Sequence, residues 1–166
     1  SAGRNRYKES GLAKMRRFGA ERETQKANIL KKENLEECVG KFSDIVKVYE
    51  EGRPSYSMDF IKFLYEEQGV SPSSSIGEFG SGTGKFTKLL LERGSKVYGI
   101  EPNLNMQEEA KNNLHAFENF IPINGSAEFS GLGENSVDFI SVAQAFHWFS
   151  VNDFKKECKR ILKDKG

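Results

Sequence analysis

Between residues 76 and 87 the chain reads Ile-Gly-Glu-Phe-Gly-Ser-Gly-Thr-Gly-Lys-Phe-Thr, with glycines alternating at Gly80, Gly82 and Gly84. An apolar strand-like run precedes this segment and a helical one follows it. Few conformations accept such a sequence. Glycine is wanted where a chain turns sharply from strand to helix, adopts backbone angles barred to other residues and brings bare backbone against a ligand. The first amides of the following helix then face that ligand. The segment therefore reads as a nucleotide-binding turn in an α/β sheet, the alternative being a tight turn with no ligand.

Spacing separates the kinds of nucleotide turn. A P-loop needs a glycine five residues before its Gly-Lys and a Ser or Thr after it. Gly84-Lys85 has Phe79 and Phe86 at those positions. The dinucleotide fingerprint spaces its last two glycines further apart and wants a small residue where Phe86 stands. A second element lies downstream, where Val97-Tyr98-Gly99-Ile100 ends in Glu101-Pro102-Asn103. Glu101 follows the last glycine at close to the ~20 residues expected of a carboxylate that accepts hydrogen bonds from ribose hydroxyls. A solvated strand-end Glu is its bland alternative.

With Glu78 two residues ahead of the glycines, Glu78-x-Gly80-x-Gly82-x-Gly84 resembles motif I of the class I S-adenosylmethionine-dependent methyltransferases. Residues 123–149, from Ile-Asn-Gly-Ser-Ala-Glu-Phe to Ala-Gln-Ala-Phe-His-Trp-Phe, resemble the later motifs of that family, in its branch of trans-aconitate methyltransferase-like and other small-molecule enzymes. The likeness runs over about residues 42–163 and begins with a Tyr-x-x-x-Arg-Pro-x-Tyr element, Tyr49, Arg53, Pro54 and Tyr56. It implies S-adenosylmethionine as cofactor. Glu78, Gly80, Ser81, Gly82 and Gly84 would hold its methionine end, Glu101 and Pro102 its ribose, and Met106 with Ser126, Ala127 and Glu128 its adenine. Many relatives have Asp where this chain has Ser126. Gln144 would lie at the carboxyl end of the fourth strand, inside the cofactor cleft. His147 is the candidate general base, with Trp148 walling the acceptor pocket and Tyr49 and Tyr56 in an N-terminal lid. Arg53 is a candidate partner for a carboxylate of the cofactor or the acceptor. Structural roles compete at His147, Trp148 and Arg53.

The implied reaction is direct in-line methyl transfer to a small-molecule acceptor, with no metal. Two alternatives are a cofactor-binding module without turnover and a nucleic-acid methyltransferase that uses a basic arm. Residues 1–34 hold ten Lys or Arg against four Asp or Glu, within a chain of net charge +1. That stretch could grip phosphates. A solvated helix, a cloning remnant or a targeting arm is the simpler reading, because aromatic residues are sparse there. Nucleic acid is further disfavoured because Ala143-Gln144-Ala145-Phe146 replaces the Asn/Asp-Pro-Pro-aromatic segment of nucleobase enzymes.

The expected architecture is α/β, a Rossmann-like parallel sheet with helices on both faces. Helices are expected near residues 5–17, 21–38, 57–68, 84–93, 103–115 and 151–163, and strands near 75–80, 96–100, 119–123 and 137–142. Residues 1–40 form a basic helical extension and 41–166 the cofactor-binding domain. The family's seven-stranded sheet continues beyond Lys163, so this chain reads as missing the C-terminal strands. The fourth strand would then keep an open edge, with a fragment as the first explanation and a homodimer through that edge as the second. No apolar run reaches membrane-spanning length and no signal peptide is apparent, which makes a cytoplasmic protein the default. Cys38 and Cys158 fit no metal spacing and read as reduced structural thiols; His115 reads as a surface residue.

Overall fold

The computed structural model describes residues 27–30, 58–143 and 150–164. In chain order the elements are β1 (Ala27–Leu30), α1 (Met58–Glu67), β2 (Ser75–Phe79), α2 (Lys85–Glu92), β3 (Lys96–Ile100), α3 (Leu104–Asn113), β4 (Phe120–Ile123), β5 (Phe139–Ala143) and α4 (Val151–Ile161). The sheet order is β1-β5-β2-β3-β4. Strands β5, β2, β3 and β4 are mutually parallel. Each expected strand and helix from residue 57 onward forms, within a few residues of its expected ends.

Ser75–Phe79 is buried at every residue but the first, as suits a central parallel strand covered on both faces. Side chains alternate between those faces. One carries Ile76, Val97 and Phe139 and packs under Phe60, Ile61, Phe63 and Leu64 of α1 and Phe86, Leu90 and Leu91 of α2. The other carries Phe79, Ile100, Ile140 and Val142 under Phe154, Cys158 and Ile161 of α4. Phe79 and Phe154 meet edge to face, with ring centroids 5.2 Å apart. Fully burying a side chain of this size contributes about 1.5–3 kcal/mol. Cys158 is a free thiol in this second core, and burial pushes its pKa far up, so it is an inert structural group.

Helix boundaries follow local chemistry. Asn103 caps α3, its side chain accepting hydrogen bonds from the amides of Asn105 and Met106. After α2 the chain turns through Gly94, whose positive φ of 93° a glycine adopts without strain. His115 is exposed, with Nδ1 2.8 Å from the carbonyl of Asn112. Among the described residues no helix is long and apolar enough to cross a membrane.

Two expectations change. The helix expected over 21–38 gives way, at Ala27–Leu30, to a strand antiparallel to β5, pairing Ala27 with Ala143 and Leu30 with Ile140. Asn and the β-branched Ile are only middling helix formers, and an unpaired strand edge offers their backbone a ladder. The edge of β5 expected to be open is therefore filled from within the chain, and a homodimer through it would have to displace β1. The helix expected at 5–17 lies outside the described residues.

Candidate functional site

Parallel register brings the carboxyl ends of four strands to one level. Phe79 pairs with Ile100 and Val142, and Ile100 with Ile123. From β2 the chain moves to β3 and β4 on one side, then returns to β5 on the other. The carboxyl end of β2 is thus a topological switch point, where open α/β sheets bind ligands.

The three glycines of the turn all have positive φ, 68° at Gly80, 57° at Gly82 and 86° at Gly84, but they do different work. A Cβ on Gly84 would lie 2.6 Å from Cδ1 of Leu114, so its bareness lets α2 approach the end of α3. A Cβ on Gly82 would meet nothing within 4 Å, which makes this the glycine facing open space. Gly84 also stands at the N-cap of α2 without a capping side chain, leaving the first-turn amides uncapped by any side chain. The turn is tied to β3 by the amide of Gly80 donating to the Ile100 carbonyl at 2.8 Å. Ser81 is buried beside Gly99, its Oγ 3.1 Å from where a Cβ on that glycine would stand.

Glu101 sits where the sequence places a ribose carboxylate, at the end of β3 and almost fully buried. Its Oε2 accepts from the Gly82 amide and its Oε1 from the Asn103 amide, each at 2.9 Å. One residue therefore fixes both the glycine turn and the entry to α3. Each carboxylate oxygen retains further acceptor capacity for a ligand hydroxyl. Pro102 is exposed beside it, and Met106 is exposed on the first turn of α3.

Glu78 is wholly buried. Its Oε2 accepts from the hydroxyl of Thr87 at 2.6 Å, whereas among the described residues Oε1 has no hydrogen-bond partner. Burial raises its pKa from 4.5 to about 8, against the lowering effect of Thr87. An unpartnered acceptor beneath a bare turn is the kind of group that a cationic ligand end would satisfy, so these residues fit the ammonium of the methionine end.

Residues 126–129 close a small turn. The Ser126 amide donates to the Phe129 carbonyl and the Phe129 amide to Ser126 Oγ. Ala127 is buried in the core beneath α4, and Phe129 is exposed. Glu128 accepts from the amide of Ser150 at the start of α4. Below this turn the amide and hydroxyl of Ser130 donate to Glu157 of α4, which also receives Arg160. Burial opposes ionisation of Glu157, but Arg160 and Ser130 outweigh it and hold the carboxyl below its usual range.

The structure thus brings Glu78, Gly80, Ser81, Gly82, Gly84, Glu101, Pro102 and Met106 to one end of the sheet, with Ser126–Glu128 in the connection leaving β4. Arg53, Gln144 and His147, with the acceptor-side residues Tyr49, Tyr56 and Trp148, lie outside the described residues. Sequence reasoning missed Thr87, Asn103 and Glu157. Asn103 was open to detection as a capping residue ahead of a helical run. The others depend on which buried group each faces, for which the sequence carries no local signal.

Comparisons with known proteins agree with this geometry. A family model described as a methyltransferase domain matches residues 77–166, more than half of the chain. An uncharacterised methyltransferase of Mycobacterium tuberculosis is 34% identical over 125 residues, covering 75% of this chain and 49% of the relative. One from Schizosaccharomyces pombe is 31% identical over 126 residues, with the same coverage. The chain spans about half the length of these curated relatives. Among solved structures, a SAM-dependent methyltransferase from Aquifex aeolicus superposes with a TM-score of 0.59 at 25% identity, over 73% of this chain and 66% of the other. With the glycine turn, the two buried carboxylates and the parallel sheet already in place, the match over residues 77–166 settles the family: this chain belongs to the methyltransferase-domain family of class I S-adenosylmethionine-dependent methyltransferases.

Proposed function

We propose that this chain binds S-adenosylmethionine across the carboxyl ends of β2, β3 and β4 and transfers its methyl group to a small-molecule acceptor by direct in-line displacement. The observation that carries the reading is the buried Glu78, one of whose oxygens has no partner among the described residues, two residues ahead of a glycine turn whose open Gly82 is held by Glu101. Glu78 and the turn take the methionine end, Glu101 the ribose hydroxyls, and Met106 with the 126–128 turn the adenine. Exposed Met106 supplies an apolar surface of the kind an adenine ring covers.

The cofactor supplies a methyl already activated by its positive sulfur. What remains for the protein is alignment and exclusion of water. His147, in the segment that follows β5, takes the proton of a hydroxyl or amine acceptor, or bonds an acceptor carboxylate. Trp148, Tyr49 and Tyr56 wall the acceptor, and Arg53 pairs with a carboxylate. We place the protein in the cytoplasm, supported by the free thiol of Cys158 and by the lack of any membrane-crossing helix among the described residues.

The test is calorimetric titration with S-adenosylhomocysteine, followed by transfer of isotope-labelled methyl from S-adenosylmethionine to a panel of carboxylate, hydroxyl and amine compounds. Saturable binding and labelling of an acceptor are expected, with His147→Ala reducing turnover while leaving S-adenosylhomocysteine affinity within threefold, on the order of 0.7 kcal/mol. Binding with no labelled acceptor would overturn the catalytic part of the reading. A folded chain that does not bind would overturn all of it.

A further inference from the structure

Glu78 Oε1 has a neighbour in the same condition. Ser141 Oγ is buried, and among the described residues it too has no hydrogen-bond partner. Glu78 and Ser141 are register partners across β2 and β5. Paired residues of adjacent strands project to the same face, here the one beneath α1 and α2. A buried polar oxygen left without a hydrogen bond loses its hydration with nothing in return. Two such groups stand side by side in the same row of the sheet, where an apolar residue at 141 would avoid the cost.

The surroundings of Glu78 narrow what Ser141 does. Thr87 approaches from α2 and holds Oε2. On the β3 side stands Gly99, which has no side chain of its own, with Ser81 Oγ of the glycine turn beside it. Lys85 and Lys88 of α2 are exposed, and Glu101, beyond Gly99, has its oxygens on the amides of Gly82 and Asn103. Of the two hydroxyls left, Ser141 Oγ is the one that is wholly buried and unpartnered among the described residues, and it stands directly across the register from Glu78.

We infer that Ser141 is a positioning residue for Glu78, its hydroxyl donating to Oε1 of the ionised carboxylate by rotation about χ1 or across one buried water. Thr87 and Ser141 then hold the two oxygens from opposite sides, which fixes the carboxylate beneath the glycine turn and favours its charged form. The functional consequence rests on the proposed cofactor reading; the hydrogen bond does not.

The test is an NMR titration of glutamate carboxyl carbons, with the Glu78 signal assigned by its loss in Glu78→Gln. In the unliganded protein, Ser141→Ala is expected to raise the Glu78 midpoint by about one pH unit, and Ser141→Thr, which keeps the hydroxyl, to restore it. A merely structural Ser141 would leave the midpoint in place in Ser141→Ala, and that result overturns the inference. Folding of the variants is checked by circular dichroism. S-adenosylhomocysteine affinity at pH 7 is expected to fall about tenfold in Ser141→Ala, with the gap closing at higher pH as Glu78 ionises in both proteins. Equal affinities at pH 7 would overturn the positioning role. Failure of both proteins to bind would overturn the cofactor reading, and the titration would still decide the hydrogen bond.

Discussion

The two ends of the sheet are both rich in polar groups, but they treat those groups differently. At the amino end, Tyr65 Oη lies 2.6 Å from Ser95 Oγ, Ser95 Oγ donates to the Ser71 carbonyl and Asn119 donates to the Ser95 carbonyl. The Ser75 amide there donates to Asp138. These bonds tie α1, the loop before β2 and the turns before β3 and β4 together, with Ser75 joined to the segment before β5. Toward the carboxyl end, Glu78 and Ser141 each bury a polar atom without a partner among the described residues, and three glycines hold positive φ. A satisfied network stabilises the fold, whereas an unsatisfied one keeps binding capacity at a cost in stability. Pairing separates the Ser71–Ser95–Asn119 network from the Glu78–Ser141 row, although Ser136 Oγ, just ahead of β5, also lacks a partner among the described residues.

The contrast is broken most severely by Gly82→Arg. Its side chain would project into the open space of the turn, and S-adenosylhomocysteine affinity should fall more than ~100-fold by calorimetry, while the left-handed angle costs only about 1–2 kcal/mol of stability. Retained affinity would show that the open side of Gly82 is not the ligand side.

Next in size is a pH effect at Glu78. Its folded pKa of about 8 stands above the ordinary 4.5. The folded state therefore binds more protons between those values, and stability is complete below about 4.5 and lost as pH rises through about 8. Urea unfolding should show a decline on the order of a few kcal/mol between pH 5 and 9, and Glu78→Gln should remove most of it. An unchanged slope in the variant would assign the pH dependence elsewhere.

Ser95→Ala probes the opposite end. It strands the partners of a fully buried hydroxyl and should cost about 2 kcal/mol, with S-adenosylhomocysteine affinity unchanged. A large loss of affinity would mean that the two ends are coupled. The smallest effect is expected from Asn103→Ala, which removes the α3 cap for about 1 kcal/mol and weakens binding only slightly, because the Asn103 amide that holds Glu101 is retained. Denaturation midpoints and calorimetry check both.

Much of the parallel core was legible because its signals are local. Alternating glycines, Glu78 and Glu101, and apolar runs such as Val97–Ile100 each announce their element within a few residues. The order of elements then leaves few topologies open. The segment Ala27–Leu30 was misread because its strand exists only through pairing with Phe139–Ala143, more than a hundred residues away. Ser141 was passed over for a related reason: within its strand it is one small polar residue among apolar ones, and its meaning comes from Glu78 across the register.

By itself the sequence determined the nucleotide turn, the run of strands and helices from residue 57, and the family, since these depend on backbone preference and short-range pattern. Only the tertiary structure decided that Gly84 serves helix packing while Gly82 faces open space, that Glu101 braces the turn, and that Glu78 and Ser141 share a buried row. Those properties are set by which distant groups come to lie within hydrogen-bonding or van der Waals distance, and burial then raises the cost of every polar atom left unpaired.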